Sequence, residues 1–183
     1  VMFAGNLGAA QSLETIIKAA ELLKDRDIHW VFFGSGRRQN WLDSEVESKQ
    51  LSNVHVLGSR PMETMPRYFS LADAMLVTLK DDPVMTTTIP GKVQSYLACG
   101  KPIVGALNGS GSDVISESGA GFTVCSGDYE GLAACVLKLS AASKEDLQEM
   151  GKCASFYYRN NFNRDTLINQ LEGWLYKLVG IEK

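Results

Sequence analysis

Val1-Met2-Phe3-Ala4-Gly5-Asn6-Leu7-Gly8, followed by Leu13, Ile16, Ile17, Ala20 and Leu23, is the stretch that decides the fold. Four apolar residues without a polar break read as a strand buried on both faces. The glycine turn then hands the chain to a helix whose apolar positions recur at helical spacing, with Ser12 placed as its N-cap. The same unit recurs along the chain. Strand-like runs follow at Ile28–Phe33, Val54–Leu57, Ala74–Leu79, Pro102–Gly105 and Gly121–Val124. Between them Trp41, Leu42, Val46 and Leu51 mark a second helix, Met65, Tyr68, Phe69 and Ala72 a short third, and Val93 to Cys99 a fourth. Apolar strands alternating with helices imply a parallel sheet covered on both faces, and right-handed crossovers make it a Rossmann-like, doubly wound α/β fold.

After Asp128 the strands stop. A helix runs from there to about Ser140, Ser143 and Asp146 form a capping box for the next, and Asn163 starts a last, amphipathic one. That helix carries Leu167, Ile168, Leu171, Trp174, Leu175 and Leu178 on one face. A face so apolar packs either on the core of this domain or on a second domain.

The 183 residues suit one soluble globular domain, residues 1–183, with its own core. A formal charge of −3 gives no global basic field and argues against non-specific nucleic-acid binding. Cys99, Cys125, Cys135 and Cys153 show no CxxC pairing and no histidine at metal-ligand spacing, so buried, reduced thiols in a cytoplasmic protein are expected. No apolar run approaches the roughly 20 residues of a membrane span. Because Val1 enters directly into a buried strand, the chain is expected to be a fragment cut at a domain boundary.

In open α/β sheets ligands sit beyond the carboxyl ends of the strands, so four loops matter. Gly5-Asn6-Leu7-Gly8 lets backbone amides approach an anion at a helix N-terminus, or is a plain tight turn. Gly34-Ser35-Gly36-Arg37-Arg38 is either a phosphate clamp or a solvated turn; arginines there oppose the helix dipole and call for compensation. Thr86-Thr87-Thr88-Ile89-Pro90-Gly91-Lys92 combines a fixed turn, three hydroxyl donors and a point charge, for which an anion is the natural partner. Asn108-Gly109-Ser110-Gly111-Ser112-Asp113 is a mobile lid or a linker, with Asp113 as a helix cap. Asp81-Asp82 reads as a polar loop more readily than a metal site, for want of a third ligand, and His29 and His55 as structural residues away from the ligand end.

Phe3-Ala4-Gly5-Asn6-Leu7-Gly8, Phe33-Gly34-Ser35-Gly36, Val56-Leu57-Gly58, Tyr96-Leu97-Ala98-Cys99-Gly100-Lys101-Pro102-Ile103-Val104 and Gly119-Ala120-Gly121-Phe122 occur in this order over essentially the whole chain. The set resembles the C-terminal domain of GT-B glycosyltransferases of the family-4, or glycosyl transferase group 1, type. The Leu-Ala-Cys-Gly-Lys-Pro stretch is its most specific piece. The resemblance implies a domain that binds a nucleotide-diphosphate sugar and transfers it with retention, without an obligatory metal or other cofactor. It implies an N-terminal domain, absent from this chain, that binds a saccharide or lipid-linked acceptor, and a cytoplasmic place, peripheral at the inner face of a bacterial membrane. It sets the diphosphate at Gly5, Asn6 and Gly8, the base near Ser59, Arg60 and Pro61, and Thr88 and Lys92 against phosphates or sugar, with Gly34 and Arg37 as further contacts and Lys92 as the catalytic cation.

Two departures stand out. The family's Glu-x7-Glu pair falls here on Thr87 and Ser95, and its first-loop arginine and lysine fall on Asn6 and Gln11. A branch resembling amino-deoxysugar transferases of bacterial surface-polysaccharide synthesis, with a Thr-Ile-Pro-Ser-Lys-like segment, is the closer likeness, and Lys92 there replaces part of the lost charge. A GT-B-like sugar-nucleotide epimerase would need carboxylates for acid–base work. A non-catalytic nucleotide-binding module is the other alternative. A dehydrogenase is disfavoured because the first turn lacks the third glycine and strand two lacks a ribose-binding acid.

Overall fold

The apolar runs form six short strands in the computed structural model, which describes residues 1–180: β1 (Met2–Ala4), β2 (Trp30–Phe33), β3 (Val54–Val56), β4 (Met75–Thr78), β5 (Ile103–Ala106) and β6 (Gly121–Val124). Their order is β3-β2-β1-β4-β5-β6, and every pairing is parallel. This is the doubly wound arrangement expected, and its order reverses between β1 and β4, where such sheets open a crevice for ligands. The two strands share the single register pair Met2↔Met75.

The helices are α1 (Leu13–Leu22), α2 (Gln39–Ser48), α3 (Met65–Leu71), α4 (Pro83–Thr86), α5 (Gly91–Ala98), α6 (Ser110–Glu117), α7 (Tyr129–Ser140), α8 (Lys144–Asn161) and α9 (Arg164–Val179). They cover both faces and make two cores. On one face Leu13, Ile16 and Ile17 of α1 and Leu132 and Val136 of α7 bury Phe3, Phe32 and Leu76. On the other, Phe69 of α3, Tyr96 and Leu97 of α5, Ile115 of α6 and Ala154 of α8 bury Met75, Val77 and Ile103. Each fully buried large side chain stabilises the fold by about 1.5–3 kcal/mol. Helix α8 packs closely against the end of α5 where two glycines meet, since a Cβ on Gly151 would stand 2.4 Å from the Gly100 carbonyl oxygen.

Side-chain caps fix the starts of α4, α7, α8 and α9. Asp128 accepts from the Gly131 amide at 2.8 Å, Ser143 and Asp146 close the capping box, and Asn163 accepts from the Asp165 and Thr166 amides. One expected cap holds in position and one is corrected. Ser12 stands at the N-cap position of α1, at φ 45°, but its hydroxyl bonds that of Thr15 at 2.9 Å and caps no amide. Asp113 lies within the first turn of α6, whose N-cap is Gly109 at φ 72°. The thiols also differ from expectation: all four cysteines are free, but Cys125 is exposed and the other three are half-buried.

The apolar face of α9 does not pack on this core. Trp174 is 62% and Leu178 82% exposed, and Leu167, Ile168, Leu171 and Leu175 are exposed with them. Among the described residues no helix is long and apolar enough to cross a membrane.

Candidate functional site

Three strand ends supply three stacked turns. After β1, the Gly5 amide donates to the Phe33 carbonyl at 2.8 Å and the Leu7 amide to that of Ser35 at 2.9 Å. After β2, the Gly34 amide donates to the Gly58 carbonyl at 3.0 Å, tying in the loop after β3. The turns lie so close that side chains are excluded. A Cβ on Gly34, at φ 140°, would stand 1.8 Å from the Gly5 oxygen. A Cβ on Gly5, at φ 139°, would meet Lys92 Cε at 2.7 Å. The first turn therefore presents bare backbone beneath a lysine.

That lysine comes from α5, across the switch point. The Val93 amide turns back to the Pro90 carbonyl at 2.9 Å, but no side chain caps the helix start, which leaves the positive end of its dipole for another partner. Lys92 runs over Gly5, sets its ammonium 3.8 Å from the centre of the Phe3 ring and donates to the Gln11 side-chain oxygen. Among the described residues no carboxylate pairs with it. Burial without a counter-charge pushes its pKa down to about 7.

A cleft of roughly 860 Å³ opens here. Of the residues singled out in the sequence, Gly5, Asn6, Gly34, Ser59, Arg60, Lys92 and Ser95 line it. Gly8, Arg37, Thr87 and Thr88 stand outside that lining. Gly8 lies behind Asn6, whose Nδ2 would be 2.8 Å from a Cβ placed there, and Arg37 is exposed. The threonines are not the free donors expected. Pro83 and the Asp82 carboxylate, which accepts from the Val84 and Met85 amides at 2.9 and 3.3 Å, build the short helix α4. Thr86, Thr87 and Thr88 then donate to the carbonyls of Pro83, Val84 and Met85 at the end of that single turn. Ser95 likewise donates to the Gly91 carbonyl at 2.9 Å.

The surrounding loops resolve several alternatives. Arg38 pairs with Glu14 at 2.8 Å and stacks 4.0 Å over Trp41, which supplies the compensation a basic helix start requires. Burial pushes the Glu14 carboxyl up, but a backbone amide and the Arg38 guanidinium together hold it below its ordinary value. Asn108 donates to Asp81 at 3.0 Å and accepts from the Ser126 amide at 3.1 Å, and Ser110 to Asp113 form the first turn of α6. With Asp81 and Asp82 both engaged in the fold, the described residues contain no cluster of three potential metal ligands. His29 and His55 pair at 2.9 Å away from the cleft.

Sequence reasoning missed what forms the apolar floor and far wall. Phe33, Met62, Met65 and Phe69 line the cleft on the side of Ser59 and Arg60, and Tyr158 of α8 closes the wall beyond α5. Phe33 is the last residue of its strand, and Tyr158 is 62 residues from Tyr96, so no local pattern marks them. Arg60 lies 5.9 Å from the Phe33 ring centre, and Ser59 donates to the Ser35 hydroxyl at 3.0 Å. Apolar side chains with a guanidinium and hydroxyls beside them suit a heteroaromatic ring. The Gly5 turn and the α5 N-terminus suit an anion beside it.

Comparison with known proteins places the chain in a family and among similar folds. Residues 1–142 match the family model described as glycosyl transferases group 1. The chain is 24% identical over 163 residues to the probable glycosyltransferase WbjE of Pseudomonas aeruginosa, covering 88% of this chain and 40% of that protein. It spans less than half the length of the curated relatives it matches. Among solved structures, Anabaena HepE in complex with UDP superposes with a TM-score of 0.81 at 17% identity, over 96% of this chain and 48% of that one. The C-terminal domain of the group 1 family protein LpcC from Francisella tularensis superposes with a TM-score of 0.74 at 12% identity, over 89% and 86%.

Proposed function

The chain belongs to the glycosyl transferases group 1 family, and we propose on that premise that it is the donor-binding half of a GT-B glycosyltransferase. The observation that carries this is the meeting, at the sheet's switch point, of a bare glycine turn, an uncapped helix N-terminus and a lysine without a counter-ion. A nucleoside diphosphate answers each of these. Its diphosphate lies between the Gly5–Gly8 turn and Lys92, and its base lies over Phe33 beside Ser59 and Arg60. HepE, of the same fold, was crystallised with UDP and with UDP-glucose.

Breaking a sugar–phosphate bond builds negative charge on the departing diphosphate. Lys92 and the α5 N-terminus stabilise that charge where it develops, without a metal. The acceptor, a saccharide or a lipid-linked one, is held by a second domain, and transfer proceeds with retention on the cytoplasmic side of the membrane. Relatives named as glycosyltransferases of colanic acid, amylovoran and teichuronic acid biosynthesis support a surface polysaccharide as the product. An epimerase is the weaker alternative, because among the described residues the cleft lining holds no carboxylate and no imidazole for acid–base work.

Calorimetric titration with UDP, GDP, ADP and CMP tests the assignment. One nucleoside diphosphate binds, and Lys92→Ala weakens it about tenfold or more, as expected for loss of a buried charge-assisted contact. No heat from any of them at millimolar concentration rejects the assignment.

A further inference from the structure

Strand β1 loses its neighbour just before it reaches the cleft. The Met2 amide donates to the Ala74 carbonyl at 2.9 Å, but the β1–β4 ladder has no second register pair. In a strand, residues two apart aim their backbone groups to the same edge, so the amide and carbonyl of Ala4 also face the gap. One hydroxyl fills it. The Tyr96 oxygen accepts from the Ala4 amide at 3.0 Å and donates to the Ala4 carbonyl at 3.1 Å. A phenol is the side chain that can do both from a rigid, buried ring. That ring is locked edge-on against Phe69, with centroids 5.4 Å apart and planes at 89°.

Tyr96 lies four residues after Lys92 on α5, so the two share one face of the helix. Tyr96 grips the last residue of β1 while Lys92 crosses Gly5, the next residue along. The hydroxyl therefore fixes both the height and the rotation of α5 relative to the glycine turn. Without it, the remaining contacts of Tyr96 are apolar and non-directional, and α5 can slide by fractions of an ångström. A point charge that acts on a diphosphate over about 3 Å is sensitive to such shifts.

We propose that Tyr96 is a positioning residue for donor binding, whose hydroxyl holds Lys92 in register over the Gly5 turn. The proposal rests on the reading of the cleft as a nucleoside-diphosphate site.

A double-mutant cycle tests it, using whichever of UDP, GDP and ADP binds wild type most tightly. Tyr96→Phe removes one oxygen and keeps the ring. It is expected to weaken binding about fivefold with Lys92 present and less than twofold in the Lys92→Ala background. Equal losses in both backgrounds, or wild-type affinity in Tyr96→Phe, overturn the proposal, because a merely structural hydroxyl does not couple to the lysine. If Tyr96→Phe does not fold, Tyr96→4-aminophenylalanine takes its place in the cycle, keeping a donor to the Ala4 carbonyl but losing the strong acceptor for the Ala4 amide. Weakening that vanishes without Lys92 again supports the proposal, and affinity equal to wild type overturns it. Absence of binding by wild type itself overturns the reading of the cleft, an outcome distinct from binding with uncoupled losses.

Discussion

Gly34 and Lys92 carry the residue-scale account. Because a Cβ at Gly34 would fall 1.8 Å from a backbone oxygen that other bonds hold in place, Gly34→Ala should cost about 3 kcal/mol, read as a lowered urea midpoint. A cost below about 1 kcal/mol would show that the turns are not in such contact. Lys92 makes stability and binding depend on pH in opposite senses. Its folded pKa, about 7, lies below the unfolded value near 10.4, so between these the unfolded chain binds more protons and stability rises with pH. Lys92→Met should abolish that rise while leaving other slopes intact. A diphosphate favours the charged lysine, so its affinity should be greatest below about pH 7 and fall as pH rises, with proton uptake seen as buffer-dependent heat. Affinity flat from pH 6 to 9 would remove the lysine from the site. The glycines and the lysine were legible as residue types. Their contacts were not, since Lys92 and Gln11 are 81 residues apart and meet only through the sheet.

At the scale of elements, burial separates what the domain needs from what it displays. Leu97, fully buried in α5, should cost about 2–5 kcal/mol when cut to alanine. Trp174→Ser on α9 should change the thermal midpoint by no more than about 0.5 kcal/mol allows, because its ring is 62% exposed. A large loss there would mean that α9 is buried in solution. The extent of α9 was readable from its 3.6-residue period, but a period shows that a face is apolar and not what covers it. Helix α4 escaped notice for another reason. Four residues are too few for periodicity, and its only marks are a capping aspartate and a proline at its first position. Without α4 in view, the hydroxyls of Thr86, Thr87 and Thr88 read as open donors, whereas here each donates to a carbonyl of α4.

For the molecule as a whole, the parallel, doubly wound class was legible because each strand–turn–helix unit states its own periodicity. The strand order β3-β2-β1-β4-β5-β6 arises from pairings between distant segments, which no local window contains. That order is what brings the turns after β1 and β2 against the start of α5, so the site exists only at this scale. It also explains why apparently separate motifs, 30 to 90 residues apart, converge on one cleft. The central claim is that a nucleoside diphosphate binds in that cleft, and backbone amide shifts during a UDP titration test it most directly. The account predicts the largest shifts at Gly5, Asn6, Gly34, Gly91 and Lys92, with His29 and His55 unmoved. Shifts centred elsewhere, or none with UDP, GDP or ADP at millimolar concentration, would contradict it.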